Sequence, residues 1–155
     1  MIYVKVLNLS DNPDPEFETE GAAGFDIAAN QDIHLPIGCS TLVSTGIKVI
    51  LPPQYEGQLR LRSSMYNRGF VMPNAPGTID SDYRGEVKVP IANIGHFDKV
   101  VKIEKGERIA QLVVKKLPDV ALVNVSQERF DAYNASERGE GGFGSTGSGI
   151  GVAGL

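Results

Sequence analysis

Short runs in which apolar and polar residues alternate one by one constrain the fold of this chain more than any other feature. The segments Gln58–Arg62 and Glu86–Ile91 show the alternation most clearly. Because successive side chains of a strand point to opposite faces of a sheet, the pattern predicts sheets with one face in a core. Further short apolar runs are strand candidates: Leu42–Ile50, Val100–Ile103, Ile109–Val114 and Val120–Val125.

Turn-forming residues separate these runs at nearly regular intervals. Pro52-Pro53 and Lys105-Gly106 are two examples, since Pro fixes the backbone angle of a turn and Gly adopts angles that other residues avoid. Many short strands joined by such turns predict an all-β sandwich or barrel. The best helix candidate is the short segment Ser63–Asn67, and no segment longer than about two turns has a convincing amphipathic pattern.

The composition is that of a globular protein with a small negative charge. The 155 residues are 41% hydrophobic and 22% charged, and the formal net charge is −4. A chain of this length fits a single domain. The acidic balance argues against a general nucleic-acid binder, although a local group of Arg residues can still hold a small polyanion. No run of about 18 apolar residues predicts a membrane segment, and no signal peptide is apparent.

The chain has a single cysteine, Cys39. It cannot form a disulfide within the chain, which favours a reducing cytoplasmic setting. Because Cys39 precedes a strand-like stretch, we interpret it as a small buried hydrophobe and not as a nucleophile. His34 and His96 are isolated in the sequence, so the residues do not indicate a zinc site.

The segment Ile79–Glu86 carries two carboxylates, a phenol and a guanidinium directly after the Pro- and Gly-rich Pro73–Gly77, which predicts a tight hairpin-like connection. A carboxylate held there, such as Asp80, can orient a water for attack, and the ring of Tyr83 can stack on a sugar. The alternative is a solvated turn, since Asp is favoured in turns through its side-chain bond to its own backbone. Arg84 is an ion-pair candidate for the neighbouring carboxylates.

Other polar residues stand in strand-like surroundings. Arg62, Ser63 and Ser64 follow a predicted strand, and their guanidinium, hydroxyls and N–H groups suit an anion, although a plain Ser helix cap with a surface Arg is an equal alternative. Gln111 lies in an apolar strand and is read as an edge or network residue. Asp26 follows small residues that allow the backbone of another strand to approach closely. From the residues alone, the role open to its side chain is an ion pair between strands.

The end of the chain has a different composition. Gly accounts for eight of the 17 residues from Gly139 to Leu155. Such a segment buries too little apolar surface to order itself, so a floppy tail is one interpretation. Arg138 and Phe143 favour the other, a mobile arm that orders on a ligand, because Arg grips phosphate, Gly, Ser and Thr amides cradle it, and Phe stacks on a base.

Five segments, taken together, resemble the five motifs of the trimeric deoxyuridine triphosphatases (dUTPases) in order and spacing. They are Ala23–Asp26, Arg62–Met65, Ile79–Glu86, Arg108–Leu112 and Arg138–Gly147. The resemblance covers the chain from Ala22 to Gly147. It implies a single-domain, jelly-roll-like β-barrel over residues 1–137 and a flexible Gly-rich arm over residues 138–155 that closes the active site.

The resemblance also implies roles for individual residues. Asp80 would be the catalytic base that orients the attacking water, Tyr83 would stack under the deoxyribose, and the hairpin backbone would read the uracil edge. Mg²⁺ would accompany the triphosphate, with Asp26 and Gln111 contacting it through water. The implied substrate-binding residues are Arg62, Ser63, Ser64, Asn74, Gly77, Thr78, Ile79, Tyr83, Gln111, Arg138, Phe143, Gly144, Ser145 and Thr146.

The activity implied by the resemblance is hydrolysis of dUTP to dUMP and pyrophosphate, which limits uracil incorporation into DNA and supplies dUMP for dTMP synthesis. The implied assembly is a homotrimer whose sites are shared between subunits, with no nucleic-acid or membrane partner. Some phage and viral members of the family also bind regulatory proteins, and nothing in these residues indicates such a partner.

Two further readings compete. In the deoxycytidine triphosphate deaminases, which share the fold, a catalytic Glu stands at the position that matches Pro90 here, and Pro cannot transfer a proton. A capsid-like or lectin-like jelly roll would not need the Gly-rich sequence from Arg138 to Gly147.

Overall fold

A computed structural model describes residues 1–95, 100–133, 136 and 139–140. Residues 1–119 form one compact unit, and the residues from Val120 belong to a second. The strands are β1 (Lys5–Asn8), β2 (Phe25–Ala28), β3 (Ile33–Pro36), β4 (Ser40–Val43), β5 (Ile47–Ile50), β6 (Tyr55–Leu61), β7 (Phe70–Val71), β8 (Gly77–Ile79), β9 (Val89–Asn93), β10 (Val100–Ile103) and β11 (Arg108–Lys116). The helices are α1 (Ser63–Tyr66) and α2 (Gln127–Tyr133).

The strands of residues 1–119 pair antiparallel in four sheets. The largest has the order β2-β11-β6-β8, and a three-stranded sheet has the order β4-β9-β7. The pairs β1-β5 and β3-β10 complete the set. Strands distant in sequence therefore lie side by side, and the all-β fold expected from the sequence is confirmed.

One apolar core joins these sheets. The apolar residues of the alternating pattern in and just before β9 are all in this core, because Val87, Val89 and Ile91 have no exposed surface. Leu59 on β6 and Phe70 on β7 are equally enclosed, at 1% and 0% exposure. Full burial of one such side chain stabilises the fold by about 1.5–3 kcal/mol.

The predicted short helix is present, and two other local expectations are wrong. The Pro73–Gly77 segment is not a hairpin turn, because the flanking strands β7 and β8 pair with β9 and β6 in different sheets. Cys39 is exposed and not buried, since it follows the turn around Gly38, whose φ of +76° places Cys39 at the start of the β4 edge.

The second unit also departs from the sequence pattern. The apolar run Val120–Val125 is not a strand, and Leu122 is 94% exposed. The helix α2 follows it and begins after Ser126, whose carbonyl accepts the Phe130 N–H at 2.9 Å. Gln127 Nε2 donates to Asp131 Oδ1 at 2.8 Å, one helical turn further on.

The predicted division between a domain and an arm at residues 137 and 138 falls outside the described residues. No helix of the described part is long and apolar enough to cross a membrane.

Candidate functional site

Asp26 and Gln111 occupy directly opposed positions on the adjacent strands β2 and β11. Gln111 Nε2 donates to Asp26 Oδ1 at 3.0 Å, so the network role expected for Gln111 is present. The close strand approach expected before Asp26 is also present, because a Cβ added to Gly24 would lie 2.6 Å from the Leu112 carbonyl oxygen. Glycine therefore fixes where β2 meets β11.

Two arginines face the buried carboxylate of Asp26, which is 8% exposed. Arg62 Nη2 lies 3.6 Å and Arg108 Nη1 lies 3.4 Å from Asp26 Oδ2, distances that suit ion pairs but are too long for good hydrogen bonds. Oδ2 accordingly has no hydrogen-bond partner. We call Asp26, Arg62, Arg108 and Gln111 the arginine–aspartate cluster. It offers two cations and one unused carboxylate oxygen.

The alternative expected for Asp26, an ion pair between strands, is present with both arginines. Its contact with Mg²⁺ through water stays a prediction. Arg108 was missed as a site residue by sequence reasoning, although it opens the Arg108–Leu112 motif. The available signal was the position of Arg108 at the start of a strand. The neighbouring strand carries the enclosed Asp26. Arg108 also pairs with Glu18.

The serines beside the cluster begin helix α1. Arg62, and not a Ser, holds the N-cap position, and no side chain caps the helix there. The expectation of a plain Ser cap is therefore wrong. Ser63 and Ser64 are exposed first-turn residues, whose N–H groups have no acceptor within the helix.

The second group of predicted residues lies on the connection from β8 to β9, residues 80–88, which we call the Asp80 loop. Asp80 is exposed, and its carbonyl accepts the Tyr83 N–H at 3.1 Å. The Tyr83 ring is 42% exposed, and its hydroxyl donates to the Glu86 carbonyl at 2.9 Å. A Cβ on Gly85 would lie 2.3 Å from the Tyr83 hydroxyl, so glycine is required where the ring lies over the backbone.

The expected pairing of Arg84 with Asp82 or Glu86 is wrong. Arg84 Nη1 donates instead to the backbone carbonyls of Ser81, at 2.8 Å, and Tyr83, at 2.9 Å. The guanidinium thus holds the loop's own backbone. On β6, Arg60 likewise has a neutral partner, since its Nη2 donates to the Gln58 amide oxygen at 2.6 Å.

The carboxylate of Glu86 is bound by the turn between β4 and β5. Its Oε1 accepts Ser44 Oγ at 2.5 Å, the Thr45 N–H at 2.9 Å and the Gly46 N–H at 2.8 Å. Lys88 Nζ lies 3.8 Å from Oε2. Burial by itself raises the pKa of Glu86, but the bonds from Ser44, Gly46 and Thr45 and the Lys88 charge outweigh it and leave that pKa below its usual range.

The residues expected to read a base directly precede the Asp80 loop. Asn74 and Thr78 are exposed, whereas Gly77 and Ile79 are buried on β8. Gly77 pairs with Leu59 of β6, and a Cβ there would touch both Leu59 and Asn74 Nδ2. The segment therefore presents backbone and the Asn74 amide next to Asp80.

The arginine–aspartate cluster and the Asp80 loop lie far apart within one chain. In the antiparallel pairing of β6 with β8, Gly57 is opposite Ile79, so Asp80 lies beyond Gly57 in one direction and Arg62 in the other. The offset is six residues, which at about 3.3 Å per residue is about 20 Å. One chain therefore does not bring the two groups to one small ligand.

The motif residues of the Gly-rich end, Arg138, Phe143, Gly144, Ser145 and Thr146, lie outside the described residues. Among those that are described, no three His, Cys, Asp or Glu side chains converge as a set able to hold a metal.

The fold and its two polar groups define an antiparallel β protein with an exposed Asp–Tyr loop and a separate arginine–aspartate cluster, and comparison with known proteins gives the family. The family model for dUTPase matches residues 10–147. The chain belongs to the dUTPase family.

Curated relatives span nearly the whole chain. It is 42% identical over 146 residues to the deoxyuridine 5'-triphosphate nucleotidohydrolase of Thermoanaerobacter sp., covering 92% of this chain and 94% of that protein. It is 47% identical over 134 residues to the enzyme of the same name from Anaeromyxobacter sp., covering 86% of each. Among solved structures, the dUTPase of Staphylococcus bacteriophage 80alpha with dUPNHPP superposes with a TM-score of 0.77 at 28% identity, over 95% of this chain and 99% of that one.

Proposed function

We propose that this chain is a dUTP diphosphatase that hydrolyses dUTP to dUMP and pyrophosphate. The observation that carries the proposal is the exposed carboxylate of Asp80, which lies between strand β8 and Tyr83 on a loop whose Tyr83 hydroxyl is bonded to the Glu86 carbonyl. Curated relatives at 42% and 47% identity carry the name of this activity.

Each part of the site has a chemical task in this proposal. Asp80 accepts a proton from the water that attacks the α-phosphorus. Tyr83 lies under the deoxyribose, and the backbone of Asn74–Thr78 binds the uracil edge. Arg62 and Ser63 stabilise the negative charge that develops on the triphosphate oxygens.

The site is proposed to be shared between subunits of a homotrimer. The offset of about 20 Å between Asp80 and Arg62 supports this, because a triphosphate bound at Arg62 cannot reach Asp80 of the same chain. Closed three-fold symmetry would join the Asp80 loop of one chain to the arginine–aspartate cluster of a second in three equivalent sites. The arm from Arg138 would come from the third chain.

Mg²⁺ is the proposed companion of the triphosphate, and its chemistry would be to neutralise phosphate charge. The donor set of the arginine–aspartate cluster fits contact through water and not direct ligation. Asp26 already faces two guanidiniums, and only its Oδ2 has no hydrogen-bond partner. Gln111 is held by Asp26 Oδ1 and can turn its own carbonyl oxygen towards a metal-bound water.

The setting we propose is the reducing cytoplasm, where dUTP would be removed before it enters DNA and dUMP would be released for dTMP synthesis. The single cysteine supports it. No nucleic-acid or regulatory protein partner is proposed, since the described surface gives no argument for one.

The test is incubation of the full chain with Mg²⁺ and each of dUTP, dCTP, dTTP and UTP in turn, measuring pyrophosphate release and ammonia. We expect pyrophosphate efficiently from dUTP alone and no ammonia from dCTP. Ammonia from dCTP would support the deaminase alternative, although Pro90, which pairs with Leu42 in β9, can neither give nor take a proton. Equal turnover of all four nucleotides would contradict the proposed base and sugar recognition.

A further inference from the structure

The Asp80 loop carries the catalytic carboxylate of the proposed reaction but lies outside regular strands. Between β8 and β9, residues 80–88 form turns and bends. Among the described residues, one backbone hydrogen bond outside the strands joins this stretch to the rest of the unit, from the Val87 N–H to the Ile47 carbonyl at 2.8 Å. Side chains must therefore fix the position of the loop. The strongest such contact is that of Glu86.

The turn that binds Glu86 is itself rigid. The Ser44 carbonyl accepts the Asn30 N–H at 2.8 Å, and the Gly46 carbonyl accepts the Leu9 N–H at 2.8 Å. Thr45 Oγ1 donates to the Val87 carbonyl at 2.5 Å. A Cβ on Gly46 would lie 2.8 Å from Ser10 Cβ, so the turn is packed tightly against the N-terminal segment.

We propose that Glu86 is a positioning residue that fixes the Asp80 loop to the turn between β4 and β5 and so sets the placement of Asp80 and Tyr83. The inference rests on the proposed dUTP hydrolysis for its functional meaning. The connection runs from the turn to the Glu86 carboxylate, from the Glu86 carbonyl to the Tyr83 hydroxyl at 2.9 Å, and from the Tyr83 N–H to the Asp80 carbonyl at 3.1 Å. Each step is one hydrogen bond, so a shift at Glu86 reaches Asp80 through two further contacts.

The chemistry of the contact fits a fixed anchor. Three donors converge on a single carboxylate oxygen, and hydrogen bonds to an ionised acceptor are stronger than those between neutral groups. The lowered pKa of Glu86 keeps the carboxylate charged at neutral pH. Lys88 is the charged side chain that faces it, while the turn supplies only uncharged donors.

The experiment compares Glu86→Ala, Glu86→Gln and Ser44→Ala, with Glu104→Ala as the control. Glu104 is an exposed carboxylate in an ion pair with Lys102, and it belongs neither to the Asp80 loop nor to the turn that binds Glu86. Gln keeps the acceptor oxygen, so Glu86→Gln should stay within about 3-fold of the unmodified protein. Glu86→Ala should lower kcat by about 10- to 100-fold, the loss typical of a small misplacement of a catalytic group, with a smaller change in KM. Ser44→Ala should act in the same direction but less.

Two readouts separate positioning from general stability. The ratio of kcat/KM for dUTP over UTP should fall in Glu86→Ala, because Tyr83 loses its fixed place. Rates are compared at a temperature well below the thermal midpoint of every variant, so that loss of stability does not enter the comparison. Amide hydrogen exchange of Tyr83, Thr45 and Gly46 should accelerate in Glu86→Ala and not in Glu86→Gln.

The inference is overturned if Glu86→Ala, or Ser44→Ala should the former not fold, accelerates exchange at Thr45 and Gly46 while kcat and the dUTP/UTP ratio stay unchanged. An equal loss of kcat in Glu104→Ala would overturn it too. Absence of dUTP turnover in the unmodified protein would instead contradict the proposed function. In that case the amide hydrogen exchange of Tyr83 is the remaining test of whether Glu86 holds the Asp80 loop in place.

Discussion

At the scale of single residues, the carboxylates of the candidate site differ in what they contact. Asp26 is buried and contacts two arginines and Gln111, while Glu86 accepts hydrogen bonds from the turn between β4 and β5. Asp80 and Asp82 are exposed, and neither carboxylate has a partner among the described residues. A carboxylate without a partner can accept a proton from water, and of the two the family motif favours Asp80, the base in the proposed function.

Replacing Asp80 by Asn should lower turnover of dUTP by at least about 10²-fold, because the amide cannot accept the proton. Nucleotide affinity should remain, since Asn has the same size and hydrogen-bonding reach. Steady-state rates and titration with a non-hydrolysable dUTP analogue measure the two effects. Asp82→Asn is the matched control, because Asp82 is equally exposed two residues further on. Near-normal turnover in Asp80→Asn would remove the assignment.

A second residue-scale prediction concerns Gly85. A methyl group there meets the Tyr83 ring, with 2.3 Å to the hydroxyl and 2.5 Å to the ring carbon that carries it, so Gly85→Ala should displace the ring and break its bond to Glu86. We expect the ratio of kcat/KM for dUTP over UTP to fall towards that of Tyr83→Ala, with the fold retained because the ring is half-exposed. Competition kinetics with both nucleotides measure it. An unchanged ratio in both variants would mean that the sugar is recognised elsewhere.

The sequence predicted which residues belong to the candidate site better than it predicted their contacts. The motif pattern pointed to Asp26, Arg62, Asp80, Tyr83 and Gln111, and the structure places them in two groups. Arg108 was missed and the Arg84 pairing was wrong, because which acceptor a guanidinium reaches depends on strand register and loop shape. Neither quantity is encoded in the spacing of residues along the chain.

At the scale of elements, period-two patterns predicted strands wherever a partner strand was available. They succeeded for β6 and for Val87 to Ile91, whose apolar side chains enter the core. The strand predicted from the short apolar run Val120–Val125 is wrong, since this segment has no ladder in the described structure. A strand is stabilised by its neighbours, so propensity alone cannot decide such a case. The α2 helix was missed because none of its residues is buried, so it carries no amphipathic pattern.

The β2–β11 pairing makes a prediction at this scale. Gly24→Ala should destabilise the protein by about 1–3 kcal/mol, since the added methyl group lies 2.6 Å from the Leu112 carbonyl oxygen, which cannot move without parting the strands. Gly21→Ala is the matched control, because nothing lies within 4 Å of a Cβ at that position, and its effect should stay within about 0.5 kcal/mol.

Chemical denaturation at one fixed protein concentration measures both variants, because any assembly makes unfolding depend on concentration. Equal stabilities for Gly24→Ala and Gly21→Ala would show that β11 shifts without cost.

At the scale of the whole molecule, the proposed shared site predicts complementation between two inactive proteins. One carries Asp80→Asn, and the other ends at Glu137 and lacks the motif residues from Arg138. Refolded together, some trimers would combine an intact Asp80 from the shortened chain with an intact arm from the other. Activity should reappear in the mixture and stay absent when each protein is refolded alone. Mixed trimers, verified by mass, that remain inactive would contradict the three-chain site.

The distance between Asp80 and Arg62 along one sheet also bears on how such an enzyme would behave when scarce. If every chain carries two parts of an active site and neither is complete alone, the specific activity depends on the protein concentration. Dilution below the dissociation constant of the assembly would switch the enzyme off, and freshly synthesised chains would show a lag until they meet. The rate of dUTP removal in a cell would then rise more steeply than in direct proportion to the number of chains made.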